Sequence, residues 1–199
     1  MDWLFALMIL GGGCFLLQKV SLPLKEFMWP RSQKWFWRFN VWGWGIFLIG
    51  LIPIVIYMSL LHDWIAASLE LGGAPAMWMG FQSARKKDLH GKASPFADRF
   101  AKVCIVVGIA TSIYLLGTIA TLAQFWELVM VSGYLIGTRE LGKHKVVGYF
   151  WFYVMFLGCG SLMNIQHQWL MSWQQVASAI VTAPGLLMKF RQVQNAKRR

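Results

Sequence analysis

The chain has 199 residues, of which 57% are apolar and 12 are Trp, and its formal net charge is +11. A composition this apolar is not typical of a soluble domain of this size. The basic residues lie at the ends of apolar stretches and not on one soluble face, so we expect no nucleic-acid partner.

All 19 Lys and Arg residues fall into four clusters, at residues 19–38, 85–102, 139–145 and 189–199. The intervals between the clusters hold 46, 36 and 43 residues and no basic side chain. One helical crossing of a bilayer takes about 20 residues. Each interval therefore predicts a hairpin of two crossings, and the apolar segment before the first cluster predicts one more.

The seven predicted helices are, in chain order, 3–20, 40–61, 64–82, 102–120, 122–138, 147–166 and 169–188. Lys19 is expected to snorkel to the inner end of the first helix. Because Lys and Arg near membrane ends favour the cytoplasmic side, we predict an N-terminus outside, a C-terminus inside and a multi-pass protein of the bacterial inner membrane.

A weak internal repeat divides the chain. His62-Asp63-Trp64 precedes Ala74-Pro75, and His167-Gln168-Trp169 precedes Ala183-Pro184. The repeat predicts an all-α fold with a parallel 3+1+3 arrangement: residues 1–84, an inner loop and linker helix at 85–120, and residues 121–199. Pro75 and Pro184 would be hinges for alternating access, although membrane helices also tolerate proline without such a role.

Candidate binding residues follow from polar groups in apolar surroundings. A charged group inside a bilayer is costly, which makes Glu70 a functional candidate. Asn164, Gln174 and Gln175 are amides that suit hydroxyl or amide groups of a ligand. The alternative is hydrogen bonding between helices without a ligand. The residue pattern predicts no metal site, no cofactor and no catalytic nucleophile.

Four short segments resemble vitamin-precursor transporters of the PnuC type, within the SWEET and PQ-loop superfamily. They are Tyr57-Met58-Ser59-Leu60-Leu61, Phe125-Trp126-Glu127, Gly148-Tyr149-Phe150-Trp151 and Gln168-Trp169-Leu170-Met171-Ser172. Gly148 stands where that family has the first Trp of a Trp-x-x-Trp motif, and Met155 stands where it has Asn.

The resemblance implies uptake of a nicotinamide riboside-like or other B-vitamin compound by facilitated diffusion, with a cytoplasmic kinase trapping the product. Stacking would fall to Trp126, Trp151 and Trp169, and hydrogen bonding to Glu127 and the amides. A SWEET-like sugar carrier and a non-transporting membrane scaffold stay open as alternatives, and so does a homo-oligomeric state. An intramembrane enzyme is disfavoured, because the sequence has no nucleophile–base pair.

Overall fold

The computed structural model describes residues 3–60, 62, 64–88, 94–116, 121–165, 167 and 169–197. Within these residues it has seven α-helices and no strand, which confirms the all-α prediction. The helices are α1 (Trp3–Met28), α2 (Gln33–Leu60), α3 (Trp64–Arg85), α4 (Pro95–Leu116), α5 (Leu122–Gly142), α6 (Val146–Ile165) and α7 (Trp169–Lys197).

Several helices are longer than predicted at their basic ends. α1 continues to Met28, α2 begins at Gln33, α4 begins at Pro95 and α7 reaches Lys197. The predicted helix ends lie at the basic residues, but backbone hydrogen bonding does not depend on side-chain charge. Pro23 lies inside α1 without ending it, as membrane helices allow when neighbouring helices satisfy the freed backbone groups.

Six of the seven helices form a closed ring. In order around the ring they are α1, α2, α3, α5, α6 and α7, and α7 contacts α1 again. Within the described residues no backbone contact joins two ring helices that are not neighbours. The ring therefore has an interior that only side chains cross.

The helix α4 lies outside the ring, against α3 and α5. Asp98, in its first turn, accepts charged hydrogen bonds of 2.8 Å from Arg139 and Lys143 at the end of α5. Further along, Gly108 faces Leu135 of α5 so closely that a Cβ atom would lie 2.8 Å from the leucine Cδ1. These contacts fix α4 to one side of the ring.

Apart from Lys19, the helix directions bring the described residues of all four basic clusters to the same end of the bundle. Successive helices are antiparallel, as Gly43 facing Ser21 and Gly137 facing Phe152 show for two pairs. One end therefore combines the C-terminal ends of α1, α3, α5 and α7 with the N-terminal ends of α2, α4 and α6. We call this end the basic end.

Glycines allow close approach of the helices within each hairpin. A Cβ atom on Gly50 would collide with Cys14 of α1, and one on Gly158 would lie 2.8 Å from the backbone nitrogen of Met130 on α5. Small residues at such positions allow helix backbones to approach closely, which is typical of packing in membranes. The hairpins α1–α2 and α5–α6 are the two tightest units of the ring.

Three of the described helices are long and apolar enough to cross a membrane. They are α1, α2 and α6. Large apolar side chains are exposed on most helices, including Trp42, Ile49, Val106 and Phe150. Apolar exposure of this extent is typical of a surface that contacts a membrane.

Replacing Gly133 with Ala is expected to destabilise the α5–α6 hairpin. The new Cβ would lie 2.5 Å from the backbone nitrogen of Met155 and 2.8 Å from its Cα. Backbone atoms cannot move aside as a side chain can, so the free energy of unfolding should fall by about 1–3 kcal/mol. The measurement is the thermal unfolding midpoint in detergent.

The matched control is Gly13→Ala in α1, where an added Cβ meets nothing within 4 Å. Its midpoint should stay the same or rise slightly, because Ala favours helix more than Gly does. Equal midpoints for the two variants would contradict the close approach of α5 and α6.

Candidate functional site

The predicted site residue Glu70 lies on α3, where it accepts a hydrogen bond from a neighbouring ring helix. The Tyr134 hydroxyl of α5 donates to Glu70 Oε2 at 2.6 Å. Gly73, one turn further along α3, leaves room for the tyrosine: a Cβ there would lie 2.6 Å from the Tyr134 hydroxyl oxygen. Glycine at this position allows Tyr134 to reach the carboxylate.

A lysine faces the same interior from α1. Lys19 Nζ donates to Ser178 Oγ of α7 at 2.8 Å and lies 5.0 Å from the ring centroid of Phe156 on α6. The second distance places the ammonium group within reach of a cation–π interaction. Lys19 thus contacts two helices of the other half of the chain.

Ionisable side chains from both halves face the same interior. Lys19 of α1 and Glu70 of α3 lie close enough to interact electrostatically. Since α1 and α3 are not neighbours in the ring, the interaction of Lys19 with Glu70 crosses the interior. We call Lys19, Glu70, Tyr134 and Ser178 the central cluster. It joins both halves of the chain through side chains alone.

The position of Lys19 corrects the sequence interpretation. Lys19 does not snorkel to the end of α1, because the helix runs nine residues further to Met28 and the side chain points into the ring. Sequence reasoning also missed Tyr134 and Ser178, whose residue types are common in packed helices. The available signal was that Lys19 is followed by Val20, Leu22 and Leu24, which continue the apolar run.

A second polar network closes the interior at the basic end. Lys25 donates to Asn40 Oδ1 at 3.3 Å, and the Asn40 amide nitrogen lies 3.3 Å from His144 Nε2. Tyr149 donates to Glu26 Oε1 at 3.4 Å, and Lys189 Nζ lies 3.7 Å from Glu26 Oε2. We call these six residues the inner network. All six are buried.

The turn residue His144 stays neutral within the inner network. Burial lowers the pKa of His144 well below its usual range, and the positive charges of Lys25 and Lys189 lower it further. Its Nδ1 atom is buried without a hydrogen-bond partner in the described structure. A proton on His144 would therefore add an unpaired charge beside two ammonium groups.

Three of the predicted site residues meet in a lateral groove between α6 and α7. Asn164, Trp169 and Gln175 line a cavity of about 560 Å³ together with Tyr153 and Trp173. Ser172 donates to the Gly160 carbonyl oxygen at 3.1 Å and joins the two helices beneath the groove. The groove lies in the half of the bundle away from the basic end, and several of its side chains are exposed.

The remaining predicted site residues lie apart from this groove. Trp126 is near the start of α5 and its ring contacts that of Phe125 at a centroid distance of 5.1 Å. Glu127 is partly buried on the same helix, and Trp151 lies in the half of α6 that is nearer the basic end. The side chain of Gln174 lies outside the described residues. The structure therefore separates the predicted residues into several locations.

The two proposed hinge residues have different surroundings. Pro75 is partly buried in α3, whereas Pro184 is exposed on α7. The neighbour of Pro184, Gly185, is buried against Pro23 of α1, where an added Cβ would lie 3.2 Å from the proline Cα. Gly185, the residue after Pro184, therefore marks a close contact between α7 and α1.

Comparisons with known proteins give no assignment. No protein-family model, no curated protein and no solved structure matches this chain. Within the described residues, no group of three or more His, Cys, Asp and Glu side chains is placed to hold a metal ion.

Glu70 and Tyr134 are expected to be energetically coupled. Tyr134→Phe and Glu70→Gln both weaken one hydrogen bond, so their effects on the free energy of unfolding should fall short of additivity by about 0.5–2 kcal/mol. The measurement is a double-mutant cycle from reversible unfolding in micelles. The control pair is Tyr134→Phe with Glu127→Gln, two helical turns away, which should be additive. Additivity in both cycles would rule out the contact.

Stability should fall below about pH 6.5 because of His144. The unfolded state binds a proton near this pH, whereas folded His144 does not. Folding is therefore favoured above this pH and weakened as pH falls, by at most about 1.4 kcal/mol per pH unit. Thermal midpoints between pH 5.5 and 7.5 should decline less in His144→Gln than in the wild type. His167→Gln, at an exposed turn, should keep the wild-type slope, and an unchanged slope in both variants would refute the assignment.

Proposed function

We propose that the chain is a seven-crossing transporter of the bacterial inner membrane that carries a small molecule through the interior of the helix ring. The observation that carries this proposal is the central cluster inside the ring, where Tyr134 donates to Glu70 at 2.6 Å and Lys19 donates to Ser178 at 2.8 Å. Charged side chains within membrane helices are rare and mark substrate or ion pathways. A protein with a purely structural role would gain more from an apolar interior.

A parallel 3+1+3 repeat is supported by the order of helices around the ring. Exchanging α1–α3 with α5–α7 reproduces every neighbour relation in it and leaves out only α4. One glycine contact also recurs. Gly80 of α3 faces Trp44 of α2, and Gly185 of α7 faces Tyr149 of α6, with both partners 105 positions later.

The recurring glycine contact defines a register in which the positions of the two prolines along their helices can be compared. Pro75 precedes Gly80 by five residues, whereas Pro184 immediately precedes Gly185. In this register the prolines lie four residues apart, or roughly 6 Å along a helix. The proposed hinges are therefore offset by about one turn, and bending at them would involve different depths of the two halves.

Alternating access is supported by the two polar layers inside the ring. The inner network joins both halves at the basic end, and the central cluster lies further from that end. Positively charged loops favour the cytoplasm, so the basic end would face the cytoplasm and the N-terminus would face outside. Rocking of the halves would break the inner network to release substrate into the cell.

The substrate class comes from the resemblance to PnuC-type transporters. A nicotinamide riboside-like compound carries a cationic planar ring and sugar hydroxyls. The Glu70 carboxylate suits the cationic ring, the Phe156 face suits stacking, and Ser178 and Lys19 suit the hydroxyls. Flux would follow the gradient by facilitated diffusion without a coupling ion, and a cytoplasmic kinase would trap the product.

Uptake into proteoliposomes tests this proposal. We expect saturable uptake of labelled nicotinamide riboside or thiamine, whereas labelled glucose should not enter. Glu70→Gln keeps an acceptor for Tyr134 but removes the charge, so uptake should fall at least about tenfold, corresponding to about 1.4 kcal/mol. Gln175→Ala in the lateral groove is the control and should retain most of the flux.

The other outcomes select among the alternatives. Glucose flux alone would indicate a SWEET-like sugar carrier. Loss of flux in Gln175→Ala with retention in Glu70→Gln would move the site to the lateral groove. An absence of flux for all three compounds, with a folded protein, would contradict the assigned substrate class and favour the scaffold role.

A further inference from the structure

A second cavity opens at the basic end between α2 and α3. Its volume is about 450 Å³. The lining consists of four basic residues (Lys34, Arg38, Arg85 and Lys87), two aromatic residues (Trp37 and Trp42), and Gln33, Val41 and Ala84. We call it the basic cavity. It shares no lining residue with the central cluster or the inner network, although the Trp37 ring also contacts His144 edge-on at a centroid distance of 5.8 Å.

Four cations face this cavity without an acidic partner. None of the described residues forms an ion pair with Lys34, Arg38, Arg85 or Lys87, and no lining residue is acidic. Elsewhere at the basic end cations do have partners, as with Arg139 and Asp98. Like charges that line one cavity repel one another, so a bound anion would relieve the repulsion.

The cations come from two separate basic clusters. Lys34 and Arg38 lie one helical turn apart near the start of α2, while Arg85 is the last residue of α3 and Lys87 lies two residues further on. Lys87 adopts a left-handed backbone conformation with φ of 54°, which turns the chain at the cavity edge. The fold thus brings four positive charges together at one concave site. A role in membrane topology alone does not require the charges to be concentrated in this way.

An apolar face continues from the cavity along α2. Trp42 lines the cavity and is 69% exposed, and Ile49 and Ile52 further along the helix are 64% and 63% exposed. A ligand that fills both features has an anionic head and long apolar chains.

We propose that the basic cavity binds the phosphate headgroup of an anionic lipid, whose acyl chains lie along the exposed face of α2. Arg guanidinium groups form paired hydrogen bonds with phosphate oxygens, and basic pockets between membrane helices bind acidic lipid headgroups. Trp42 would lie at the boundary between headgroup and chains, where Trp is common. The site does not depend on the transported substrate.

Thermal unfolding of the delipidated full chain in detergent tests this assignment. The additives are phosphatidylglycerol, phosphatidylcholine and inorganic phosphate. We expect phosphatidylglycerol to raise the unfolding midpoint and the other two to leave it unchanged. In Arg38→Gln/Arg85→Gln, the phosphatidylglycerol concentration that gives half the shift should rise about 25-fold, from about fivefold per charge.

The matched control is Arg99→Gln/Arg191→Gln, which removes the same charge from exposed positions outside the cavity. This variant should respond to phosphatidylglycerol like the wild type. An equal loss in both double variants would overturn the site in favour of general charge attraction. An equal shift with phosphatidylcholine would overturn headgroup recognition, and a shift with inorganic phosphate that Arg38→Gln/Arg85→Gln abolishes would replace the lipid with a soluble phosphate.

Discussion

Glycines that allow close helix approach define two tightly packed hairpins in this protein. Gly50 and Gly11 bring α1 and α2 together, while Gly133, Gly148 and Gly158 do the same for α5 and α6. Without a hydrophobic force between helices in lipid, such contacts supply packing energy through dispersion. The molecule therefore consists of two tight units, with its longer polar side chains in the space between them.

That space explains why the charged residues are tolerated. An isolated ion in an apolar interior would be very unfavourable. Lys19, Glu70 and Tyr134 offset part of this cost by mutual interaction and hydrogen bonding. In the inner network, Glu26 is stabilised in the same way. It accepts a hydrogen bond from the Tyr149 hydroxyl and forms an ion pair with the Lys189 ammonium group. Polar residues thus connect the two halves alongside the glycine contacts at Gly73 and Gly185.

The sequence predicted the helix number and approximate positions because charge spacing and apolar length depend only on local composition. It did not predict the central cluster correctly. An acid in an apolar helix is conspicuous in a sequence, so Glu70 is a candidate from its surroundings alone. Lys19, in contrast, lies where charge spacing predicts a helix end, whereas α1 continues through Pro23. Tyr134 and Ser178 depend on which helices become neighbours. The periodicity of a single segment does not show which helices will be its neighbours. For the same reason the sequence did not predict the basic cavity, which residues of two different helices line.

The position of α4 makes the two contacts between the halves mechanically unequal. Where α3 meets α5, α4 spans both helices and is anchored by Asp98 to Arg139 and Lys143. Where α7 meets α1, the described residues include no such brace. Separating α3 from α5 must also disturb α4, whereas separating α7 from α1 disturbs only their own contacts. The ring is therefore stiffer at the contact between α3 and α5 than at the contact between α7 and α1, and the second contact is the one that would open more readily.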